Sequence, residues 1–155
     1  MQNGFFSVPR PINEPVLDYK KNSPERKEVL ETYTTLYNSN IDVPLYIGGK
    51  KITTKKLARM SPPHDHKHTL GRFSIAEATH VTQAIDAALA ASPDWENTSF
   101  EHRAAVMLKA ADLIVGPYRA KINASTMLAQ SKNIFQAEID AACEFADFLR
   151  FNVAF

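Results

Sequence analysis

Cysteine is all but missing from this chain. The single Cys143 excludes an intrachain disulfide and fits a reducing compartment. Glycine is scarce too: Gly4, Gly48, Gly49, Gly71 and Gly116 are the full set, and no GxGxxG turn or Walker loop can be built from them. The sequence therefore carries no fingerprint for a nucleotide phosphate. No apolar run is long enough to span a bilayer, so no membrane partner is expected. Neither sign of charge dominates, at a formal +1, and bulk charge points to no nucleic-acid or membrane-surface partner. The opening MQNGFFSVPRPINEP lacks the basic start and long apolar centre of a secretory signal, and the Arg/Ser-rich amphipathic pattern of a transit peptide. A cytoplasmic protein is expected.

What is present is an ordinary globular composition over 155 residues, enough for one core. Residues 1–22 contain Pro9, Pro11 and Pro15, each of which removes a backbone donor and steers its predecessor away from helix. An extended arm is expected there, with Phe5, Phe6, Val16 and Leu17 docking it on other surface. Ser23-Pro24 opens a helix whose apolar stripe is Val29, Leu30, Tyr33, Leu36 and Tyr37. Residues 43–54 read as a hairpin about Gly48-Gly49. A second strand pair, 57–60 with 69–73, is expected around the Pro62-Pro63 loop, giving a small antiparallel sheet over 43–73.

Helices then fill residues 74–155. Ser74 and Glu77 have capping-box spacing. Val81, Ile85, Ala88 and Leu89 supply a core face, Ser92-Pro93 is a stop, and Trp95 plugs a connection. Ser99 caps the next helix, which turns Ala104, Leu108, Ala111 and Val115 inward and ends at Gly116-Pro117. A shorter helix spans 118–130. The last helix, 133–155, repeats Phe135, Ile139, Ala142, Ala146, Leu149 and Val153 at steps of four and three, one helical face. Phe148, Phe151 and Phe155 fall on the other side, with Glu144 among them. A carboxylate among phenylalanines needs a cationic partner from protein or ligand. The apolar end at Phe155 reads as a cut rather than a natural end.

Other candidate chemistry reduces to plainer readings. His64, Asp65, His66 and His68 would put alternate imidazoles on one face of an extended segment, but no further ligand or supporting shell is in view. No metal site is expected. Cys143 lies mid-helix beside Glu144, whose charge opposes a thiolate, so a buried inert thiol is expected. His80 and His102 complete no Ser/His/Asp set. Asp140 and Asp147 read as a solvated acidic stripe. The pairs Lys20-Lys21, Lys50-Lys51 and Lys55-Lys56 read as solvated surface.

Several strings together resemble the N-terminal portion of an aldehyde dehydrogenase, in the 1-pyrroline-5-carboxylate dehydrogenase (L-glutamate γ-semialdehyde dehydrogenase) branch. They are NEPVLDY at 13–19, SPER at 23–26, SPPHDHKHTLGRF at 61–73, AIDAALAASPDW at 84–95, LKAADLIVGPYRAKI at 108–122 and QAEIDAACEFADFLRFN at 136–152. The resemblance implies an α/β family fold, of which this stretch would be the mostly helical, incomplete N-terminal part of the NAD-binding domain (23–155) behind the arm (1–22). It also implies NAD-dependent oxidation of glutamate γ-semialdehyde to glutamate in proline catabolism, with a small-molecule substrate, NAD as cofactor and a homo-oligomer at full length. The compartment would be the mitochondrial matrix in a eukaryote. The family's cysteine nucleophile, general-base glutamate, oxyanion asparagine and dinucleotide-binding strands lie beyond the region matched, and Cys143 does not match the nucleophile. This chain is thus expected to hold no catalytic, cofactor or metal residue and to be inactive alone. Glu144 matches the branch's glutamate lining the substrate pocket near the substrate's amino group, so it is the one expected substrate-binding residue. The competing expectation is a non-enzymatic helical interaction module derived from this family.

Overall fold

A computed structural model describes residues 6–155. Phe5 of the expected arm lies outside them. Residues 6–20 run without helix or strand, as their prolines dictate. Helix α1 (Pro24–Tyr37) starts where Ser23 Oγ accepts the Arg26 N–H and Pro24 occupies the first turn. Val29 is buried, whereas Leu30 of the same expected stripe is half exposed.

The strands form two sheets, not one antiparallel unit. β2 (Leu45–Ile47) and β3 (Lys50–Ile52) make the hairpin, with positive φ at both Gly48 and Gly49, as a tight two-residue turn requires. β4 (Leu57–Met60) pairs antiparallel with β5 (Gly71–Ser74). The strand missed in the sequence is β1 (Ile41–Val43), which lies parallel to β5 in the order β1-β5-β4. Pro44 ends it after three residues, too short a run for periodicity to signal.

Ser74 does not cap a helix. Its hydroxyl ends β5 and accepts the Thr54 N–H at 3.2 Å, tying the sheet to the hairpin. Helix α2 (Ala78–Asn97) begins one turn later, where the Glu77 N–H donates to His80 Nδ1 at 3.1 Å. It also runs through Pro93. The turn beyond is braced by Asn97 Nδ2 on the Pro93 carbonyl and Thr98 Oγ1 on the Asp94 carbonyl, each at 2.8 Å. Trp95 therefore sits in the helix, half exposed, not in a connection. The expected core face of α2 is not a core: Val81, Ile85 and Leu89 are 54, 54 and 67 % exposed, and no described α2 residue is buried.

The packed body is made by the remaining helices. α3 (Phe100–Val115), capped by Ser99, lies against the terminal helix, with Ala111 and Ile114 meeting Ala146 and Leu149. α4 (Arg119–Gln130) lies on α1, where Ala124 packs with Tyr19 and Val29. The alanines let these helix axes come close.

The terminal stretch is not one continuous α-helix. α5 (Ile134–Ala137) passes into a π turn (Glu138–Cys143), and α6 (Glu144–Ala154) follows. A π turn holds about one residue more than an α turn and so advances the helical face. That is why Ala142, Ala146 and Val153 are buried as expected while Phe135 and Ile139, of the same sequence stripe, are 50 and 42 % exposed. Before the turn the inward residues are Ala137 and Glu138 instead. The stretch opens on a reciprocal cap: Asn133 Oδ1 accepts the Gln136 N–H, and Gln136 Oε1 accepts the Asn133 N–H, both at 3.0 Å. Asn133→Ala is expected to cost about 1 kcal/mol. Urea unfolding measures this, and an unshifted midpoint would show the cap to be idle.

Candidate functional site

The most deeply buried ionised group is one the sequence reading passed over. Glu138 is fully buried at the first position of the π turn. Four donors converge on its carboxylate: the Leu17 N–H at 2.9 Å, Tyr19 Oη at 2.8 Å, Asn123 Nδ2 at 2.8 Å and the Arg119 guanidinium. Burial alone would raise its pKa. The bonds from Arg119, Leu17, Tyr19 and Asn123 outweigh burial, and the carboxyl is held below its usual 4.5. The same burial, with Glu138 beside it, pushes the Tyr19 hydroxyl well up. A buried carboxylate is tolerated only on such terms.

Arg119 carries the network outward. It reaches Glu14 Oε1 at 2.6 Å and the Pro15 carbonyl at 2.8 Å, and the other Glu14 oxygen takes Arg150 Nη1 at 2.7 Å. Asp147 then holds the arm directly, accepting Asn13 Nδ2 at 2.8 Å and the Glu14 N–H at 2.7 Å. Asp147 is therefore no part of a solvated stripe; it is an anchor for the arm. Asp140 does stay at the surface, paired with Lys132 at 2.6 Å, a contact that contributes little when solvated. The spacing of 140, 144 and 147 could not separate these roles, because the partner of Asp147 lies more than a hundred residues away.

Glu144, the expected substrate ligand, is the first residue of α6. Its backbone N–H donates to the Ile139 carbonyl, and its exposed carboxylate has no hydrogen-bond partner among the described residues. It borders an open pocket of about 300 Å³ together with Asn13, Asp147, Phe148 and Phe151. Two of the lining side chains are aromatic, and the named polar groups are acceptors or already committed. Asp147 can only accept as a carboxylate, so the Asn13 amide must turn its NH2 toward it and present Oδ1 as a further acceptor. Free acceptors in one pocket with two phenyl rings suit a cation on an apolar stem, such as an alkylammonium.

The other candidates take structural places. Cys143 is buried against Glu138 and Arg119, with Sγ 3.7 Å from Glu138 Oε1 and 3.5 Å from Arg119 Nη2. Burial first, and then the Glu138 charge, push its thiol up to about 11, which excludes a ready nucleophile. The opposing carboxylate is Glu138, not Glu144. The histidine run lies in turns rather than an extended face. His64 bridges Tyr33 Oη at 3.2 Å and Ser131 Oγ at 2.7 Å. His68 stacks on Tyr37 at 3.7 Å, and Tyr37 donates to Asp65 at 2.7 Å. Among the described residues no three His, Cys, Asp or Glu side chains are grouped to hold a metal. No described helix is long and apolar enough to cross a membrane.

The body is helical with small flanking sheets, an ordered arm and a pocket lined by acceptors and aromatic rings. The sequence profile described as "Aldehyde dehydrogenase family" matches residues 50–155, and the chain belongs to that family. The chain is 42 % identical over 149 residues to the Delta-1-pyrroline-5-carboxylate dehydrogenase, mitochondrial, of Dictyostelium discoideum, covering 96 % of this chain and 27 % of that protein. It superimposes on the crystal structure of the Delta-pyrroline-5-carboxylate dehydrogenase from Mycobacterium tuberculosis bound with NAD with a TM-score of 0.95, at 45 % identity, over 99 % of this chain and 29 % of that one. On the 1-pyrroline-5-carboxylate dehydrogenase from Thermus with bound NAD the TM-score is 0.87, at 26 % identity, over 96 % of this chain and 28 % of the other. The chain thus spans just over a quarter of the length of the relatives it matches.

Proposed function

We propose that this chain is the N-terminal part of an NAD-dependent 1-pyrroline-5-carboxylate dehydrogenase, which oxidises L-glutamate γ-semialdehyde to L-glutamate in proline breakdown. On this reading residues 23–155 belong to the NAD-binding domain, with residues 1–22 as its arm, and the whole enzyme is a homo-oligomer. It works in the cytoplasm or, in a eukaryote, in the mitochondrial matrix. The observation that carries the proposal is the pocket at Glu144: a carboxylate with no side-chain partner among the described residues, beside Phe148 and Phe151, in a chain 42 % identical to a Delta-1-pyrroline-5-carboxylate dehydrogenase.

Glu144 is assigned to the substrate's ammonium group. A charge-assisted bond orients the substrate, and the phenyl rings bury its methylene stem. The chain brings no catalytic nucleophile, since the thiol of Cys143 is pushed up and buried. Nor does the sequence hold a GxGxxG or Walker run for a pyrophosphate, and no step through NAD is assigned to its residues. The chain alone should therefore reduce no NAD when given glutamate γ-semialdehyde, while the full-length protein should. Equal turnover by both would sink the reading, and inactivity of both would favour a non-enzymatic module. In the full-length enzyme Glu144→Ala is expected to raise KM for the semialdehyde about tenfold or more, with KM for NAD unmoved. An unchanged semialdehyde KM would return Glu144 to ordinary surface.

A further inference from the structure

The pocket at Glu144 has a second wall that does not belong to the helix. Asp147, Phe148 and Phe151 follow Glu144 along α6 at the spacing of one helical face, so these four side chains are neighbours on the helix surface. Asn13 is the described lining residue that comes from elsewhere, and Asp147 holds it against that face. Both oxygens of Asp147 are engaged by the arm. Oδ2 accepts Asn13 Nδ2 at 2.8 Å, and Oδ1 accepts the Glu14 N–H at 2.7 Å, with Arg150 Nη1 at 4.0 Å beside it. Asp147 is thus poorly placed to serve a further cation, but it fixes the sense of the Asn13 amide. An ionised carboxylate only accepts, so the Asn13 NH2 faces Asp147 and the carbonyl oxygen turns away from it. That oxygen has no partner among the described residues.

We propose that Asn13 of the N-terminal arm is a second ligand for the substrate's ammonium group, and that Asp147 is the positioning residue that makes its amide present an acceptor. The inference rests on the reading of Glu144 as the ammonium ligand. An exposed carboxylate alone pairs weakly with a solvated cation, because water screens the charge and the geometry is loose. An alkylammonium has three N–H donors. Glu144 answers the charge and takes one of them, and a fixed neutral carbonyl in the same pocket takes another, which adds direction without a second charge. Selectivity for an amino-bearing substrate is then shared between the helix and the arm. The arm lies more than a hundred residues earlier in the chain, and its fastening to Asp147 is what brings Asn13 to the pocket.

The test compares two substrates in the full-length enzyme: glutamate γ-semialdehyde and its des-amino analogue, 5-oxopentanoate. Asn13→Ala is expected to raise KM for the amino-bearing substrate about fivefold, leaving its kcat, the KM for NAD and kcat/KM for 5-oxopentanoate within about twofold. The same change should cost less once Glu144→Ala is present, because the two residues hold one group. Asp147→Asn tests the positioning. It keeps both bonds to the arm but reverses one: its carbonyl must take the Glu14 N–H, so its NH2 faces Asn13, and Asn13 then turns its own NH2 to the pocket. KM for the semialdehyde should rise, and adding Asn13→Ala to Asp147→Asn should bring no further rise, since a donor is removed there and not an acceptor. If Asp147 acted through its charge alone, Asn13→Ala would cost the same in both backgrounds, and that result overturns the proposal. So does an unchanged semialdehyde KM in Asn13→Ala. A merely structural Asn13 would lower the melting temperature and depress both substrates alike, which also overturns it. If Glu144→Ala itself leaves the preference for the amino group intact, the underlying reading fails instead.

Discussion

Arg119→Leu should destabilise the fold by about 3 to 5 kcal/mol at pH 7, more than any other single substitution among the polar groups. The reason is what it leaves behind. The Arg119 side chain is 11 % exposed and is the cation shared by Glu138, which is fully buried, and Glu14, which is 12 % exposed. Leucine is shorter and uncharged, and it strands the Glu138 carboxylate, which has no access to water, while Glu14 keeps Arg150. Removal of one partner costs far more than the intact pair contributes, because the desolvation of the survivor is then uncompensated. Chemical denaturation at fixed pH gives the number. A loss under about 1 kcal/mol would mean that Glu138 finds other compensation.

The pH dependence of the same variant has a sign that a generic destabilisation would not reproduce. In the native protein the Glu138 carboxyl is held below its usual 4.5. Its contribution is therefore complete above about pH 4.5 and is lost as pH falls through the depressed folded value. Between pH 7 and pH 5 this group should leave stability nearly flat. Without Arg119, burial prevails and the folded pKa rises above 4.5. The native state then takes up a proton before the unfolded state does, and stability increases as pH falls from 7 toward 4.5. Arg119→Leu should thus be more stable at pH 5 than at pH 7. The double variant Arg119→Leu/Glu138→Gln should lose that rise and recover part of the deficit at neutral pH. A variant that weakens further on mild acidification would contradict this account of the network.

The contrast between Glu138 and Glu144 shows where the sequence was legible. Glu144 drew notice because phenylalanines flank it locally, and local pattern is what a sequence displays. Glu138 looks like one more acid on a helix. Its burial depends on an arm 119 to 121 residues away and on Arg119 and Asn123 of another helix. The π turn was hidden too: the residues 138–143 have no unusual propensity, and the turn lies between stretches held by different partners, Glu138 by Arg119 and the arm, Ala146 and Leu149 by α3. Caps and turns fared better where the chemistry is self-contained, as at Ser23-Pro24, Gly48-Gly49 and Ser99. Ser74 misled because a hydroxyl suited to a helix cap is equally suited to a sheet contact, and Thr54 claimed it. Val81, Ile85 and Leu89 have a sound helical period but no neighbour among the described residues to bury them. Periodicity predicts which face is apolar, and it is silent on what covers that face.

Gly71→Ala is expected to be the second severe substitution, and it tests the strand that the sequence reading missed. Gly71 opens β5 at φ +144°, a conformation L side chains rarely adopt. A Cβ there would stand 1.9 Å from the Ile41 carbonyl oxygen and 2.6 Å from the Ile41 nitrogen and carbonyl carbon. Those atoms belong to the backbone of β1, the paired strand, and cannot swing aside as a flexible side chain would. Ile41 is also the first residue in register with Gly71, so the clash falls on the β1–β5 ladder itself. Strain and displacement together should cost at least about 2 to 3 kcal/mol. Gly49→Ala is the control. Its φ of +75° is also unfavourable to alanine, but nothing lies within 4 Å of the added carbon, so only the conformational cost of about 1 to 2 kcal/mol applies. Hydrogen exchange separates the two effects. In Gly71→Ala the Ile41 amide, which donates to the Leu70 carbonyl at 2.9 Å, should lose protection together with the rest of β1, while β2 and β3 keep theirs. Equal costs for the two alanines, or protected β1 amides in Gly71→Ala, would show that β1 can retreat without penalty. The parallel pairing would then be incidental to the fold, not the contact that fixes where β5 delivers the chain to α2.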